Sequence, residues 1–185
     1  MDTIKTVKKN RLDKNSYSDN ANGTVQSILP GYRLIKELGR GAQGKIFLAE
    51  RESDGLKVAI KQLNISSVKN WKSYELFHRE ADVLKSLNVD GVAKFYDAID
   101  RLDDVPPCSY IVQEYIPGKS LQSMINAGHR LSVHRVCHII LQLLNILKSL
   151  NEHDPPVIHR DIKPSNVLLV PQAEDNVKVY LIDFG

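Results

Sequence analysis

The stretch "LGRGAQGKI", residues 38–46, admits two kinds of phosphate-binding loop. Its first glycine and its final Gly-Lys pair almost complete a P-loop, but that pattern ends in Ser or Thr, because the hydroxyl binds Mg²⁺. This chain has Ile46 there, which offers no oxygen. The same letters contain the G-x-G-x-x-G pattern of a glycine-rich loop, formed by Gly39, Gly41 and Gly44.

The element that follows the glycines also argues against a P-loop. The segment "KIFLAE", residues 45–50, begins with β-branched and aromatic residues and alternates as a strand does. A P-loop and a Rossmann G-x-G-x-x-G both require a helix at this point. We therefore predict that the glycines join two strands, with a simple hairpin turn as the alternative interpretation.

The flanking sequence predicts an α+β fold. Three strands with tight connections form an antiparallel meander, and amphipathic helices dominate the second half of the chain. The predicted strands are 32–38, 44–51, 56–63, 93–100 and 108–114, and the predicted helices are 70–87, a short one ending near Gly128, and 133–152 with Ser132 as its N-cap.

A carboxylate interrupts the apolar stripe of the first helix. Phe77, Leu84 and Leu87 define the stripe, together with Leu76 and Val83, and Glu80 falls inside it. A carboxylate on a packed face is costly unless a cation pairs with it. The sequence therefore predicts a lysine or arginine close to Glu80.

The last long helix has its own apolar stripe and two histidines. His134 and His138 lie four residues apart, as a metal-binding pair would, but no third ligand has suitable spacing, so we interpret both as surface or core histidines. The predicted stripe consists of Val133, Val136, Ile140, Leu143, Leu144 and Leu147.

Composition limits the classes of function. The chain has 185 residues, enough for one domain with a core, and contains neither an 18-residue apolar run nor an apolar segment near its start that would suggest a secretory signal. Cys108 and Cys137 are far apart without metal-ligand spacing, which predicts two reduced, buried thiols in a cytoplasmic protein. Residues 1–16 hold five basic and two acidic residues and account for the whole net charge of +3. Because that charge lies in a polar leader, we predict a disordered tail over 1–30 and no nucleic-acid partner.

Five motifs in one order carry a family resemblance. They are "GRGAQGKI" at 39–46, "VAIK" at 58–61, Glu80, "HRDIKPSN" at 159–166 and "DFG" at 183–185. With these the chain resembles the eukaryotic-type protein kinases, in a style similar to the bacterial eukaryotic-like kinases. The resemblance implies a β-rich N-lobe over 31–114, and the first part of a helical C-lobe over 115–185.

The resemblance also implies catalytic roles. Asp161 is the expected base for the substrate hydroxyl, and Lys163 the lysine that steadies the γ-phosphate in Ser/Thr-type kinases. Lys61 is expected to hold the α- and β-phosphates and to be the cation for Glu80. The implied magnesium ligands are Asn166 and Asp183.

ATP is the implied nucleotide. The glycines let backbone N–H groups approach its phosphates. The implied adenine contacts are Leu38, Ile46, Ala59 and Leu168, with Glu114 and Ile116 at the hinge and Gln113 as gatekeeper. The resemblance also implies a stacked apolar column between the lobes, formed by Leu84, Phe95, His159 and Phe184.

The sequence ends at Gly185, directly after "DFG". We expect a Ser/Thr kinase domain that acts on protein substrates in signalling and is incomplete at its C-terminus, so that this chain alone has little activity, low stability and some uncovered apolar surface on helix 133–152. The alternatives are a non-catalytic nucleotide-binding or interaction module and an aminoglycoside-type phosphotransferase. The full set of catalytic residues argues against the first alternative, and the regular "HRDIKPSN" against the second.

Overall fold

The computed structural model describes residues 27–41, 44–67, 71–173 and 176–184. Its main sheet is antiparallel, with the strand order β1-β2-β3-β4-β6-β5, and a smaller sheet has the order β7-β8-β9. The first part comprises β1 (Ser27–Leu29), β2 (Tyr32–Gly41), β3 (Gly44–Arg51), β4 (Lys57–Asn64), a 3₁₀ turn (Ile65–Ser67), α1 (Trp71–Ser86), β5 (Phe95–Arg101) and β6 (Cys108–Glu114). The second part comprises β7 (Lys119–Ser120), α2 (Leu121–Asn126), α3 (Val133–Asn151), a 3₁₀ turn (Pro164–Asn166), β8 (Val167–Pro171) and β9 (Val177–Leu181).

The predicted α+β class and the meander β2-β3-β4 are confirmed. Gly41 pairs with Gly44 at the end of the β2-β3 hairpin, so the glycines do join two strands. The predicted tail is wrong at its end, because β1 lies inside it: Leu29 is buried in the core under the sheet. Residues 1–26 of that predicted tail lie outside the described residues.

The apolar side of α1 faces the core, as predicted. Phe77, Ala81 and Leu84 are buried there, and Glu80 is buried between them. Leu87 follows the helix and is half-buried against the same core. The helix therefore fixes the position of a carboxylate beneath the main sheet.

The stripe predicted for α3 is wrong in its orientation. The residues that pack inward are Ile139, Ile146 and Leu150, where the helix meets β9 and the loop before β5. The helix is apolar around most of its circumference, so periodicity alone could not select the buried side. Four members of the predicted stripe are exposed instead: Val133, Val136, Ile140 and Leu144.

This exposed side confirms the expectation that the helix keeps uncovered apolar surface. Cys137 lies on it and is exposed, so the prediction of two buried thiols is correct only for Cys108. Among the described residues, no helix is both long and apolar enough to cross a bilayer.

Gly91 joins the two parts of the fold. Its backbone φ is +85°, and an added Cβ would lie 2.4 Å from Cδ1 of Ile146 and 3.1 Å from the carbonyl oxygen of Val179. Its own carbonyl accepts a 2.8 Å hydrogen bond from the N–H of Leu181. The loop between α1 and β5 is thus held against α3 and β9 at a point where only glycine fits.

We expect Gly91→Ala to lower the free energy of unfolding by about 1–3 kcal/mol, the usual cost of a strained backbone conformation, with a further loss from the steric clash. Gly55→Ala is the matched control, because Gly55 has φ +71° but nothing within 4 Å of an added Cβ. Urea unfolding of the two variants separates the cost of the positive φ, which both share, from the cost of the steric clash, which only Gly91→Ala has. Equal losses of unfolding free energy would contradict the steric role of Gly91.

Candidate active site

A buried ion pair connects the main sheet to α1. Nζ of Lys61, on β4, lies 2.5 Å from Oε2 of Glu80, and the two side chains are only 4% and 2% exposed. The predicted cation beside Glu80 is therefore confirmed. Burial raises the pKa of Glu80 above its ordinary value, and the charge of Lys61 partly offsets this. Burial acts to lower the pKa of Lys61, but the charges of Glu80 and then Asp183 outweigh it, so that this pKa is raised and the lysine stays charged.

The same lysine reaches the "DFG" segment. Its Nζ lies 3.1 Å from Oδ1 of Asp183, whose side chain is 32% exposed. Lys61 therefore connects a carboxylate of α1 with a carboxylate at the end of the second sheet. The sequence predicted the first contact but gave no sign of the second, because no periodicity connects β4 to residue 183.

Asp161 is held by two neighbours in the "HRDIKPSN" loop. Nζ of Lys163 donates to its Oδ2 at 2.6 Å, and Nδ2 of Asn166 donates to the same oxygen at 3.0 Å and to the Asp161 carbonyl at 2.9 Å. The bond from Lys163 is the main reason that the pKa of Asp161 lies below its ordinary value. The carboxylate is therefore ionised at neutral pH and has a fixed orientation.

His159 ties this loop to the "DFG" segment. Its Nε2 lies 3.1 Å from the carbonyl oxygen of Ile182, and its Nδ1 lies 3.3 Å from the backbone N–H of Asp161. Because a carbonyl only accepts and a backbone N–H only donates, both contacts fit the neutral Nε2–H tautomer. Burial lowers the pKa of His159, which also favours the neutral ring.

The predicted apolar column is assembled. The rings of His159 and Phe184 pack at a tilt of 44°, with centroids 4.6 Å apart. Leu84 and Phe184 are buried in one core cluster, and the half-buried Phe95 packs against that cluster. The column therefore extends from α1 to the end of the second sheet.

Two residues beside these side chains have left-handed backbone. Arg160 has φ +65° and Asp183 has φ +61°, in the region that L-residues other than Asn and Asp seldom adopt. Such strain is retained where surrounding contacts determine the conformation, and it clusters at functional sites. Arg160, in the "HRD" segment, is the unusual residue of the two, whereas Asp183 is of a type that adopts this conformation more readily.

The three glycines of the first loop are explained in different ways. Gly44 has φ +123°, and an added Cβ would lie 1.9 Å from the carbonyl oxygen of Gln62, so the fold itself requires glycine there. An added Cβ at Gly39 or Gly41 would meet nothing within 4 Å. No contact within the described fold requires glycine at these two positions, which fits close approach of a ligand to the backbone.

The residues predicted to contact the adenine lie on or near the strands beside this loop. Ile46 pairs with Lys61 across β3 and β4, and Ala59 pairs with Gln113 across β4 and β6. Leu38 is 40% exposed, whereas Ala59 and Ile116 are buried. Leu168 lies on β8 in the second sheet, and Glu114 is the last residue of β6. The predicted residues therefore come from both sheets and from the segment between them.

The oxygen atoms near Asp161 fit a hard divalent cation. The Asn166 amide nitrogen is committed to Asp161, which orients its Oδ1 away from that carboxylate; this oxygen accepts a 3.2 Å bond from Ser165 Oγ. Asp183 supplies a carboxylate that is partly exposed. Amide and carboxylate oxygens are the ligand types that Mg²⁺ prefers.

Comparison with known proteins agrees with this geometry. The profile of the protein kinase domain family matches residues 32–185. The SNF1-related protein kinase catalytic subunit alpha KIN12 of Arabidopsis thaliana is 34% identical over 168 residues, covering 91% of this chain and 32% of the relative. The serine/threonine-protein kinase Pkn1 of Myxococcus xanthus is 29% identical over 154 residues, covering 83% of this chain and 21% of the relative.

The chain belongs to the protein kinase family. It spans only 32%, 21% and 22% of the length of three curated relatives, the third being the probable serine/threonine-protein kinase SCO3848 of Streptomyces coelicolor. Relatives of similar identity come from a plant and from bacteria, so the resemblance to bacterial kinases stays a prediction. Members of this family use ATP and Mg²⁺ and act on proteins.

Proposed function

We propose that this chain forms the nucleotide-binding and catalytic part of a protein serine/threonine kinase. The observation that carries the proposal is the Asp161 carboxylate, oriented by Lys163 and Asn166 and joined through His159 to the "DFG" segment. Lys163 supports serine and threonine as acceptors, because Ser/Thr-type kinases have a lysine there. The printed names of the relatives support the same class.

Lys61 and the glycine-rich loop are proposed to hold the phosphates. The ammonium group of Lys61 stays charged within its buried pair with Glu80 and is positioned to contact the α- and β-phosphates. Backbone N–H groups at Gly39, Gly41 and Gly44 would surround the phosphate oxygens. The adenine would lie among Leu38, Ile46, Ala59 and Leu168, with backbone contacts from Glu114 and Ile116.

Asp161 is proposed to accept the proton of the substrate hydroxyl. As that oxygen forms its bond to the γ-phosphorus, the bond from the γ-phosphorus to the β-γ bridging oxygen breaks, and ADP leaves. Lys163 would stabilise the charge on the transferred group. Mg²⁺, held by Asn166 and Asp183, would neutralise charge on the phosphates.

The organisation of the domain remains part of the proposal. Residues 31–114 would form the N-lobe and 115–185 the first part of the C-lobe. The two free thiols support a cytoplasmic location, since thiols persist under reducing conditions.

A non-catalytic nucleotide-binding module is the second candidate, and the exposed apolar side of α3 favours an interaction role of this kind.

Two measurements test the proposal. The 185-residue chain should be stabilised by Mg-ATP, by about 2.7 kcal/mol at a nucleotide concentration of 100 Kd. The longest natural form of the protein should transfer the γ-phosphate of ATP to a generic basic protein, on serine and threonine. Stabilisation without transfer in the longest form would favour the non-catalytic module. Transfer to tyrosine alone would contradict the Ser/Thr assignment.

A further inference from the structure

A basic cavity lies at the start of α3. Its volume is about 380 Å³, and none of the described residues that line it is acidic. No residue of the proposed catalytic machinery contributes to it. Glu174 and Asp175, which precede Asn176 in the sequence, lie outside the described residues. The described lining consists of Arg130, Leu131, Ser132, His134, Arg135, His138, Asn176 and Val177.

The position of these side chains is electrostatically unfavourable. The N-terminal end of a helix carries partial positive charge, which stabilises acidic side chains and disfavours basic ones. The first turn of α3 contains no acidic residue, yet it contains His134 and Arg135. Arg130 lies just before the Ser132 cap, which adds a further positive charge. An arrangement that breaks a local rule without benefit to the fold is typical of a functional site.

Arg135 provides an independent observation. Its Nε is buried and has no hydrogen-bond partner, although the residue as a whole is half-buried. Buried polar atoms are nearly always paired in native proteins, so an unpaired one calls for an explanation. A guanidinium pairs best with carboxylate or phosphate oxygens, which it binds in a bidentate manner. A carboxylate or phosphate oxygen in this cavity would therefore give the Arg135 guanidinium a suitable partner.

We propose that this cavity binds the phosphate group of a phosphorylated peptide segment. Arg130 and Arg135 would bind the phosphate oxygens, and His134 and His138 would contribute further N–H donors. Leu131 and Val177 give the cavity an apolar side, which a peptide would cover and a free ion would leave exposed. The source of the ligand rests on the proposed function, because a Ser/Thr kinase makes phosphoserine and phosphothreonine. The cavity would thus retain substrates that are already phosphorylated at a second position.

The test compares three fluorescent nine-residue peptides that differ only at the central residue: phosphoserine, serine or glutamate. Fluorescence anisotropy with the 185-residue chain, without nucleotide, should show phosphoserine binding at least about tenfold more tightly than serine, because a charge-assisted hydrogen bond is gained. The imidazole resonances of His134 and His138 should shift with the phosphopeptide alone. Equal binding of phosphoserine and serine overturns the proposal, and equal binding of glutamate overturns its phosphate specificity.

Matched variants locate the site. Arg130→Gln and Arg135→Gln should each weaken phosphopeptide binding about tenfold or more. Arg101→Gln removes the same charge from a half-buried arginine on β5 that pairs with Asp104, and it should leave binding unchanged. Arg130 is exposed, so its variant tests the proposal even if Arg135→Gln fails to fold. An equal loss with Arg101→Gln would indicate a general charge effect and overturn the assignment.

Two controls separate this proposal from others. Inorganic phosphate that competes at the same concentration as the phosphopeptide would indicate an adventitious ion only, and would overturn it. Asp161→Asn, which is nearly isosteric, should lower phosphoryl transfer but leave phosphopeptide binding intact, since the cavity contains no residue of the proposed catalytic site. Loss of transfer in all forms with retained phosphopeptide binding would contradict the kinase proposal and leave the cavity assignment standing.

Discussion

Asp161→Asn is expected to lower phosphoryl transfer by about 10²–10⁴-fold, the usual contribution of a positioned general base. The pKa of Asp161 lies below its ordinary value because Lys163 donates a hydrogen bond to it, so at neutral pH the carboxylate is ready to accept a proton. An asparagine amide at the same position has no such capacity. ATP affinity should change little, because Asp161 is proposed to face the acceptor hydroxyl and not the nucleotide.

The substitution is nearly isosteric, which makes its interpretation direct. The bond from Asn166 to the main-chain carbonyl of residue 161 does not depend on the side chain and should remain. Asp103→Asn, in the exposed loop between β5 and β6, is the matched control and should leave both transfer and affinity unchanged. The measurements are steady-state transfer in the longest natural form of the protein, and nucleotide affinity by calorimetry. A parallel collapse of ATP affinity would mean that Asp161 has a structural role instead.

The sequence predicted the ion pair of the site because one residue broke a pattern. Glu80 lies inside an apolar stripe, and the cost of burying an unpaired carboxylate required a cation nearby. Lys61 fulfils that requirement on β4. The contact of Lys61 with Asp183 could not be predicted in this way, because it depends on how two sheets that are distant in sequence are brought together.

Helix α3 illustrates the limit of periodicity. Its existence, its extent and its Ser132 cap follow from the sequence, and the structure agrees within one residue at its C-terminal end. The sequence did not predict which side of the helix is buried, because apolar residues occupy most of its circumference. Contacts with β9 and the Gly91 loop select Ile139, Ile146 and Leu150. Such contacts are tertiary, and no local pattern in the helix encodes them.

Lys61→Met is expected to prevent measurable phosphoryl transfer and to weaken Mg-ATP binding. Methionine has nearly the same length and apolar stem, so the main change is the loss of the charge that contacts Glu80 and Asp183. The variant leaves Glu80 buried without its partner, and removal of one member of a buried pair costs about 3–5 kcal/mol. Lys57→Met, at the exposed start of the same strand, is the matched control and should preserve transfer.

The stability loss in Lys61→Met should depend on pH in a defined direction. Burial already raises the pKa of Glu80, and removal of Lys61 takes away the charge that opposed this shift. A carboxyl group whose folded pKa is raised favours the folded state while it is protonated, so the loss should be smallest at acidic pH and grow as the pH rises through the folded pKa. Adding Glu80→Gln should restore part of the stability at neutral pH, but no transfer. Urea unfolding at several pH values measures the stability loss, and a transfer assay measures activity in both variants. Unchanged transfer in Lys61→Met would contradict the assignment of the site.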